Sequence, residues 1–255
     1  MAHRYDINSA LLRDLKVPLD GRTSSSHSAT PKQHSQGPSV SGTAVIGVAF
    51  KDGIVLAADT VGSYGTLCKI RTVPRLLKVN KNTVLAMSGD YADFQFIEQH
   101  IGKQSIRDFN SDDGYEWSPK SLHSWLTRVL YNARSKIDPL WNSYVVGGYE
   151  TETNRPYLGG LTMLGISYTS PYVATGFGRF IAQPFLADQV EKNPELDEKT
   201  ARVAAIHALR LLYYRNRESS NKYQLAVVTK DNAVVEPVKE FETAWDTALM
   251  IRGYD

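Results

Sequence analysis

The sequence predicts an α+β fold, a four-layer α-β-β-α sandwich in which two antiparallel sheets stack between pairs of helices. Three observations carry that expectation. The stretch from Thr43 to Asp59 reads as a β-hairpin about Asp52-Gly53, a dipeptide that accepts the positive φ angles of a type I′ turn. Both faces of both arms are apolar, with Ile46, Val48 and Phe50 against Val45 and Gly47, then Ile54 and Leu56 against Val55 and Ala57. A strand apolar on both faces must be covered on both sides, which places this hairpin in an inner sheet. The third observation is the order of elements: strands, two helices, strands, two helices, strands, the order expected of two facing sheets with helices outside both.

Each element follows from local chemistry. After the first hairpin, Gly62-Ser63-Tyr64-Gly65-Thr66 reads as a glycine-punctuated loop. Leu76, Leu77, Val79, Val84, Leu85 and Met87 form a second apolar hairpin turning at Asn80-Lys81-Asn82. Asp90 caps a helix that carries Phe94, Ile97 and Ile101 at helical spacing. Ser118-Pro119, a cap followed by proline at the first helical position, opens a second helix striped with Leu122, Trp125, Leu126, Val129 and Leu130. Strands are expected over 143–149, 157–168 and 172–176, and a helix over about 179–190. A longer helix is opened by Asp197 and carries Ile206, Leu209 and Tyr213. Residues 223–229 and 233–238 pair across Asp231-Asn232 as a closing hairpin.

The first 42 residues differ from the rest, with eight serines, three of the six histidines and no aromatic after Tyr5. Such a segment buries too little apolar surface to offset its ordering entropy and is expected to be a mobile leader. Its apolar patch, Leu11, Leu12, Leu15, Val17 and Leu19, is either a docking strip or an ordinary tail. The domain proper is expected to run from 43 to 255. Of 29 basic and 27 acidic residues the leader holds 5 and 3, so the body is balanced at 24 each and offers no electrostatic footprint for nucleic acid or anionic membrane. Cys68 is the single cysteine and no Asn-x-Ser/Thr acceptor occurs, which fits a reducing compartment. No apolar run approaches the ~20 residues of a membrane span, so the chain is expected to be soluble. No metal-spacing cluster or phosphate loop appears, no cofactor is expected, and His100, His123 and His207 sit singly on helices as packing or surface residues.

A Gly42-Thr43 junction opening such a hairpin, with Asp59 at the end of the second arm, resembles the N-terminal threonine hydrolases of the proteasome beta family. There, cleavage before the threonine frees an amine that serves as base while the hydroxyl attacks a peptide carbonyl. Further motifs carry the resemblance through most of the chain: Gly62-Ser63-Tyr64-Gly65, the run from Ser88 to Phe94, His123-Ser124-Trp125-Leu126, Pro139-Leu140-Trp141-Asn142, the run from Ala174 to Gly178, and Leu212-Tyr213-Tyr214-Arg215. The resemblance implies that Thr43 stands at the nucleophile position, Asp59 at its buried acidic partner and Gly89 at the oxyanion donor. It also implies that Arg75 replaces the catalytic lysine, Gly176 a serine near the amine and Asn216 an aspartate, with Ser219 matching the second serine of that loop.

A guanidinium is planar and in practice never deprotonated, so Arg75 cannot relay a proton as an ammonium can. These six positions, Thr43, Asp59, Arg75, Gly89, Asn216 and Ser219, are therefore expected to be vestigial, with no catalytic residue among them. The leading expectation is a non-catalytic structural beta subunit of a proteasome core, in the cytoplasm and nucleus, with other beta subunits of the same and the opposite ring and alpha subunits as partners. The alternatives are an active threonine-type endopeptidase with Thr43 as nucleophile, and a stand-alone amidase for a small substrate. An unactivated Thr43 cannot cut its own leader, so removal by a neighbour is expected, with the mature chain beginning near Ser35 after a Gln-x-Pro-like segment, Gln36-Gly37-Pro38.

Overall fold

The structure, a computed structural model, describes Gly37 and residues 40–246. The leader's apolar patch from Leu11 to Leu19 and the start expected near Ser35 lie outside the described residues. The hairpin that dominates the sequence forms as β2 (Val45–Phe50) and β3 (Gly53–Asp59), paired antiparallel with Phe50 opposite Gly53. The turn residues are therefore Lys51 and Asp52 rather than the expected Asp52-Gly53, and none of the three takes a positive φ. Gly53 is glycine because a Cβ there would lie 2.1 Å from the Val228 carbonyl oxygen. With β11 (Tyr172–Ala174), β12 (Lys222–Thr229), β13 (Ala233–Val235) and β14 (Lys239–Glu240) it builds a six-stranded antiparallel sheet.

The second sheet has eight strands: β1 (Ser41–Gly42), β4 (Gly62–Tyr64), β5 (Leu67–Ile70), β6 (Leu76–Asn80), β7 (Thr83–Asp90), β8 (Asn142–Glu150), β9 (Arg155–Leu161) and β10 (Ser167–Thr169). Helices α1 (Tyr91–Ser111) and α2 (Pro119–Ser135) pack on this sheet, and α3 (Gly178–Lys192) and α4 (Glu198–Arg215) on the other. The expected caps are in place: Asp90, Ser118 and Asp197 each accept the backbone N–H three residues on.

The doubly apolar hairpin is covered as its composition demands. Ile46, Val48, Phe50, Val55 and Ala57 face α3 and α4, while Val45, Ile54, Leu56 and Ala58 meet Val84, Ala86 and Val145 of the opposing sheet. All of these are buried, and alternation along β2 and β3 makes one hairpin part of two cores.

Three further details depart from the sequence expectation. The loop expected at 62–66 is the β4–β5 hairpin, turning at Gly65 with φ +56°. The single strand expected over 157–168 is broken into β9 and β10, because Gly165 turns at φ +77° where a side chain would strike Tyr131. The domain expected to begin at Thr43 takes in the residues just before it, since Ser41–Gly42 pairs on one edge with β4 and on the other with β7. Two residues with no apolar alternation carry no strand signal of their own; β4 and β7 recruit them.

Candidate functional site

The antiparallel register that sets Val45 opposite Ala58 brings the two ends of the hairpin together. Thr43 Oγ1 donates to Asp59 Oδ2 at 2.9 Å. The same carboxylate oxygen accepts the Ser220 backbone N–H at 3.1 Å. Arg75 enters from the segment between β5 and β6 and is 0% exposed. It spends every arm of its guanidinium locally: Nε donates to the Asp59 carbonyl at 2.8 Å, one terminal nitrogen to the Thr43 carbonyl at 2.9 Å, and the other to the Ala44 carbonyl at 3.3 Å and to Asp59 Oδ1. Burial pushes the Asp59 carboxyl above its ordinary range, opposed by the Arg75 charge and by the Thr43 and Ser220 hydrogen bonds. Burial likewise pulls the guanidinium below its ordinary value, opposed by Asp59.

Arg75 also explains Gly42. A Cβ there would lie 2.5 Å from Arg75 Cδ, so the guanidinium runs directly beneath a residue that must have no side chain.

Gly89 adopts φ +103°, and a Cβ at that position would fall 2.0 Å from the Trp141 carbonyl oxygen, so glycine is obligatory. The Asp90 N–H is bonded to the Trp141 carbonyl and the Tyr91 N–H to the Val40 carbonyl, both within 2.9 Å. With Gly42 opposite Gly89 in register, the alternation of an antiparallel ladder makes those two a directly bonded pair. The Gly89 N–H therefore points at the carbonyl that precedes Thr43. Behind it, Asn142 Nδ2 donates to the Asp90 carbonyl at 2.7 Å and Tyr144 Oη to Asn142 Oδ1 at 3.1 Å, bracing the strand end.

Thr43, Gly89, Gly176 and Asn216 line one cleft of about 200 Å³, together with Met163, Phe177 and Glu218. Asn216 closes α4; its Oδ1 accepts the Glu218 N–H at 3.1 Å, and its Nδ2 is buried without a partner among the described residues. Ser219 stands apart from this cleft. Its N–H donates to the Asn216 carbonyl at 3.1 Å and it lines a different pocket, so from this loop it is the backbone of Ser220 that reaches Asp59. Thr175, which sequence reasoning also missed, is 1% exposed and accepts the Val45 N–H through its hydroxyl at 2.8 Å, fixing β2 just beyond Thr43. No local pattern in the sequence signals it, since its partner lies 130 positions away.

Among the described residues no group of three metal-ligating side chains converges, and no helix is long and apolar enough to cross a membrane. The three helical histidines serve packing. His100 Nδ1 bonds the Phe96 carbonyl at 2.8 Å, His207 stands edge-on to Phe185, and His123 sits between Tyr157 Oη at 2.9 Å and the Gly160 carbonyl at 3.2 Å.

The family model described as "Proteasome subunit" matches residues 39–228. Proteasome subunit beta type-4 of Xenopus laevis is 43% identical over 227 residues, which are 89% of this chain and 93% of that protein. The protein of the same description from Drosophila melanogaster is 39% identical, covering 87% of this chain and 82% of its own length. Proteasome subunit beta type-7 of Saccharomyces cerevisiae is 35% identical over 245 residues, covering 89% and 88%. The matched span holds the hairpin, Arg75, Gly89, both helix pairs and the loop that reaches Asp59, and on that ground the chain belongs to the proteasome subunit family.

Proposed function

We propose that this chain is a non-catalytic beta subunit of a proteasome core particle, a structural member of the ring that supports protein degradation carried out by its neighbours. Its partners are the other beta subunits of the same and the opposite ring and the alpha subunits, and its place is the cytoplasm and nucleus. The observation that carries the reading is Arg75. A threonine hydroxyl at its free pKa is a poor nucleophile and needs a group that accepts its proton. Here the charged group beside Thr43 is a guanidinium that cannot give up a proton at accessible pH, and its donors are already committed to Asp59 and to the carbonyls of Asp59, Thr43 and Ala44.

The strand ahead of Thr43 supports the same reading. Thr43 nitrogen is a peptide nitrogen joined to Gly42, and Ser41–Gly42 fills the strand position between β4 and β7, where an extended peptide would otherwise add to the sheet. As long as this segment stays attached, it blocks the cleft and leaves Thr43 without a free amine as base.

The reading predicts that Thr43→Ala leaves every peptidase activity of the particle within about twofold of wild type, and that Thr43 forms no adduct with a threonine-directed electrophile that labels catalytic neighbours. N-terminal sequencing of the chain from assembled particles is the companion measurement. A chain that begins at Thr43, or an activity lost in the Thr43→Ala particle, would replace this reading with that of an active threonine endopeptidase.

A further inference from the structure

On the far side of the Asn216–Lys222 loop from the Thr43 cleft lies a second pocket, of about 330 Å³, that the reading above does not use. Three basic side chains line it, Arg71, Arg217 and Lys222, and none of them makes an ion pair among the described residues. Glu218 is the one acid in the lining, so the pocket carries an excess of two positive charges, three cations less one carboxylate. Unpaired cations gathered around a concavity focus a positive potential into it.

The pocket is built rather than accidental. Thr60, 2% exposed, holds two of the cationic positions at once: its hydroxyl donates to the Arg71 carbonyl at 2.9 Å and its N–H to the Lys222 carbonyl at 3.2 Å. Ser220 Oγ accepts the Lys222 N–H at 3.1 Å, fixing the third side of the loop. Ser63 supplies the independent observation. It is 3% exposed and lines the pocket, and its hydroxyl, which makes no hydrogen bond among the described residues, is not one of the fully enclosed polar atoms and so opens into the pocket. A hydroxyl that opens into a pocket and makes no bond to the protein is free to donate to a bound acceptor.

We infer that this pocket is a binding site for a phosphate-type oxyanion, held by the Arg71 and Arg217 guanidinium groups and Lys222 with Ser63 Oγ as the hydroxyl donor. Planar guanidinium forks match phosphate oxygens, and a small hydroxyl beneath them completes the anion's coordination. Glu218 sits at the rim shared with the Thr43 cleft and sets how much negative charge the pocket tolerates.

The chain carries its own reporter. Cys68, its only cysteine, is exposed, lines the same pocket and is the cross-strand partner of Ser63. In purified particles, alkylation of Cys68 by iodoacetamide, followed by mass spectrometry of the peptide that contains it, isolates this chain's signal from that of every other subunit. Pyrophosphate is expected to slow Cys68 alkylation at least threefold relative to sodium chloride of equal ionic strength, and a phosphoserine peptide is expected to protect where its unphosphorylated or aspartate counterpart does not if the natural source is a modified protein. The Arg71→Gln/Arg217→Gln double variant should lose the protection, and Glu218→Gln should reach it at lower pyrophosphate. Equal protection by chloride, protection that persists in the double variant, or a Cys68 that fails to react at all because a neighbouring chain covers it would each overturn the assignment.

Discussion

The β2–β3 hairpin is held in two different ways along its length. From its turn to its middle, Ile46, Val48, Ile54, Val55 and Leu56 are each 0% exposed, and beyond the backbone ladder their side chains are held by packing alone. At its open end, two charges stand in the same dry interior, Asp59 at 4% and Arg75 at 0%, bound by an ion pair and a fan of hydrogen bonds to carbonyls. Apolar packing is tolerant, because neighbours close partly around a lost methyl group. A buried ion pair is not, because removing either partner leaves the other charge without compensation. Here both charges are fastened to the backbone as well as to each other.

The largest effect that sharpens this contrast is Arg75→Ala, expected to destabilise the chain by about 3–5 kcal/mol, since it strands the Asp59 carboxylate. Urea denaturation of this variant beside Leu56→Ala, expected to lose about 2–5 kcal/mol through its cavity, tests whether the two ends differ in kind. The deciding variant is the double Asp59→Leu/Arg75→Met. Apolar replacement of both partners should be less damaging than Arg75→Ala alone, and a double variant worse than the single would show that the hydrogen bonds to the backbone, not the paired charge, hold this end.

A smaller effect is expected from Gly42→Ala. Its methyl would meet Arg75 Cδ at 2.5 Å, an overpacking worth about 1–3 kcal/mol. Arg75→Met should relieve part of that loss, and simple additivity of the two would mean that the side chains do not touch.

The smallest effect concerns His123, a packed polar group outside the hairpin. Burial pulls its imidazole below the ordinary value of 6.5, with the Gly160 carbonyl opposing. The folded chain then binds the proton less readily than the unfolded chain, so the neutral ring's contribution is complete above about 6.5 and declines as pH falls from there toward the depressed folded value. His123→Gln should flatten that decline in denaturation midpoints measured across this window, and an unchanged slope would assign it to other groups.

What the sequence made legible, and what it did not, follows the same division. Asn80-Lys81-Asn82 turns where turn chemistry says it must, and the caps Asp90, Ser118 and Asp197 start their helices, because these signals act over a few residues. The first hairpin lies where Asp52-Gly53 marks it, but its turn sits one residue earlier, at Lys51-Asp52, without the positive φ angles of a type I′ turn. The pairing of Thr43 with Asp59 followed from the hairpin register alone. The role of Arg75 did not: that its terminal nitrogens reach the Thr43 and Ala44 carbonyls depends on how residues 71–75 cross the sheet end, which no local pattern encodes. The Ser220 backbone and the Thr175 hydroxyl were invisible for the same reason, since each meets its partner more than a hundred positions away. β1 and the β4–β5 hairpin were missed because Gly- and Ser-rich strands lack the alternation that betrays a half-buried ribbon.

The two-residue strand β1 has a consequence for motion. In the eight-stranded sheet the order runs β7-β1-β4-β5, so among the described strands Ser41–Gly42 is the sole ladder joining the Gly62–Ile70 hairpin to the rest of the sheet. That hairpin is mostly exposed along β5 and therefore draws little protection from a core of its own. Amide hydrogen exchange across residues 62–70 should rise and fall as one unit with the pairing of β1. The segment ahead of Thr43 is thus a clasp, and the exchange rate of the ribbon it holds reports whether it is fastened.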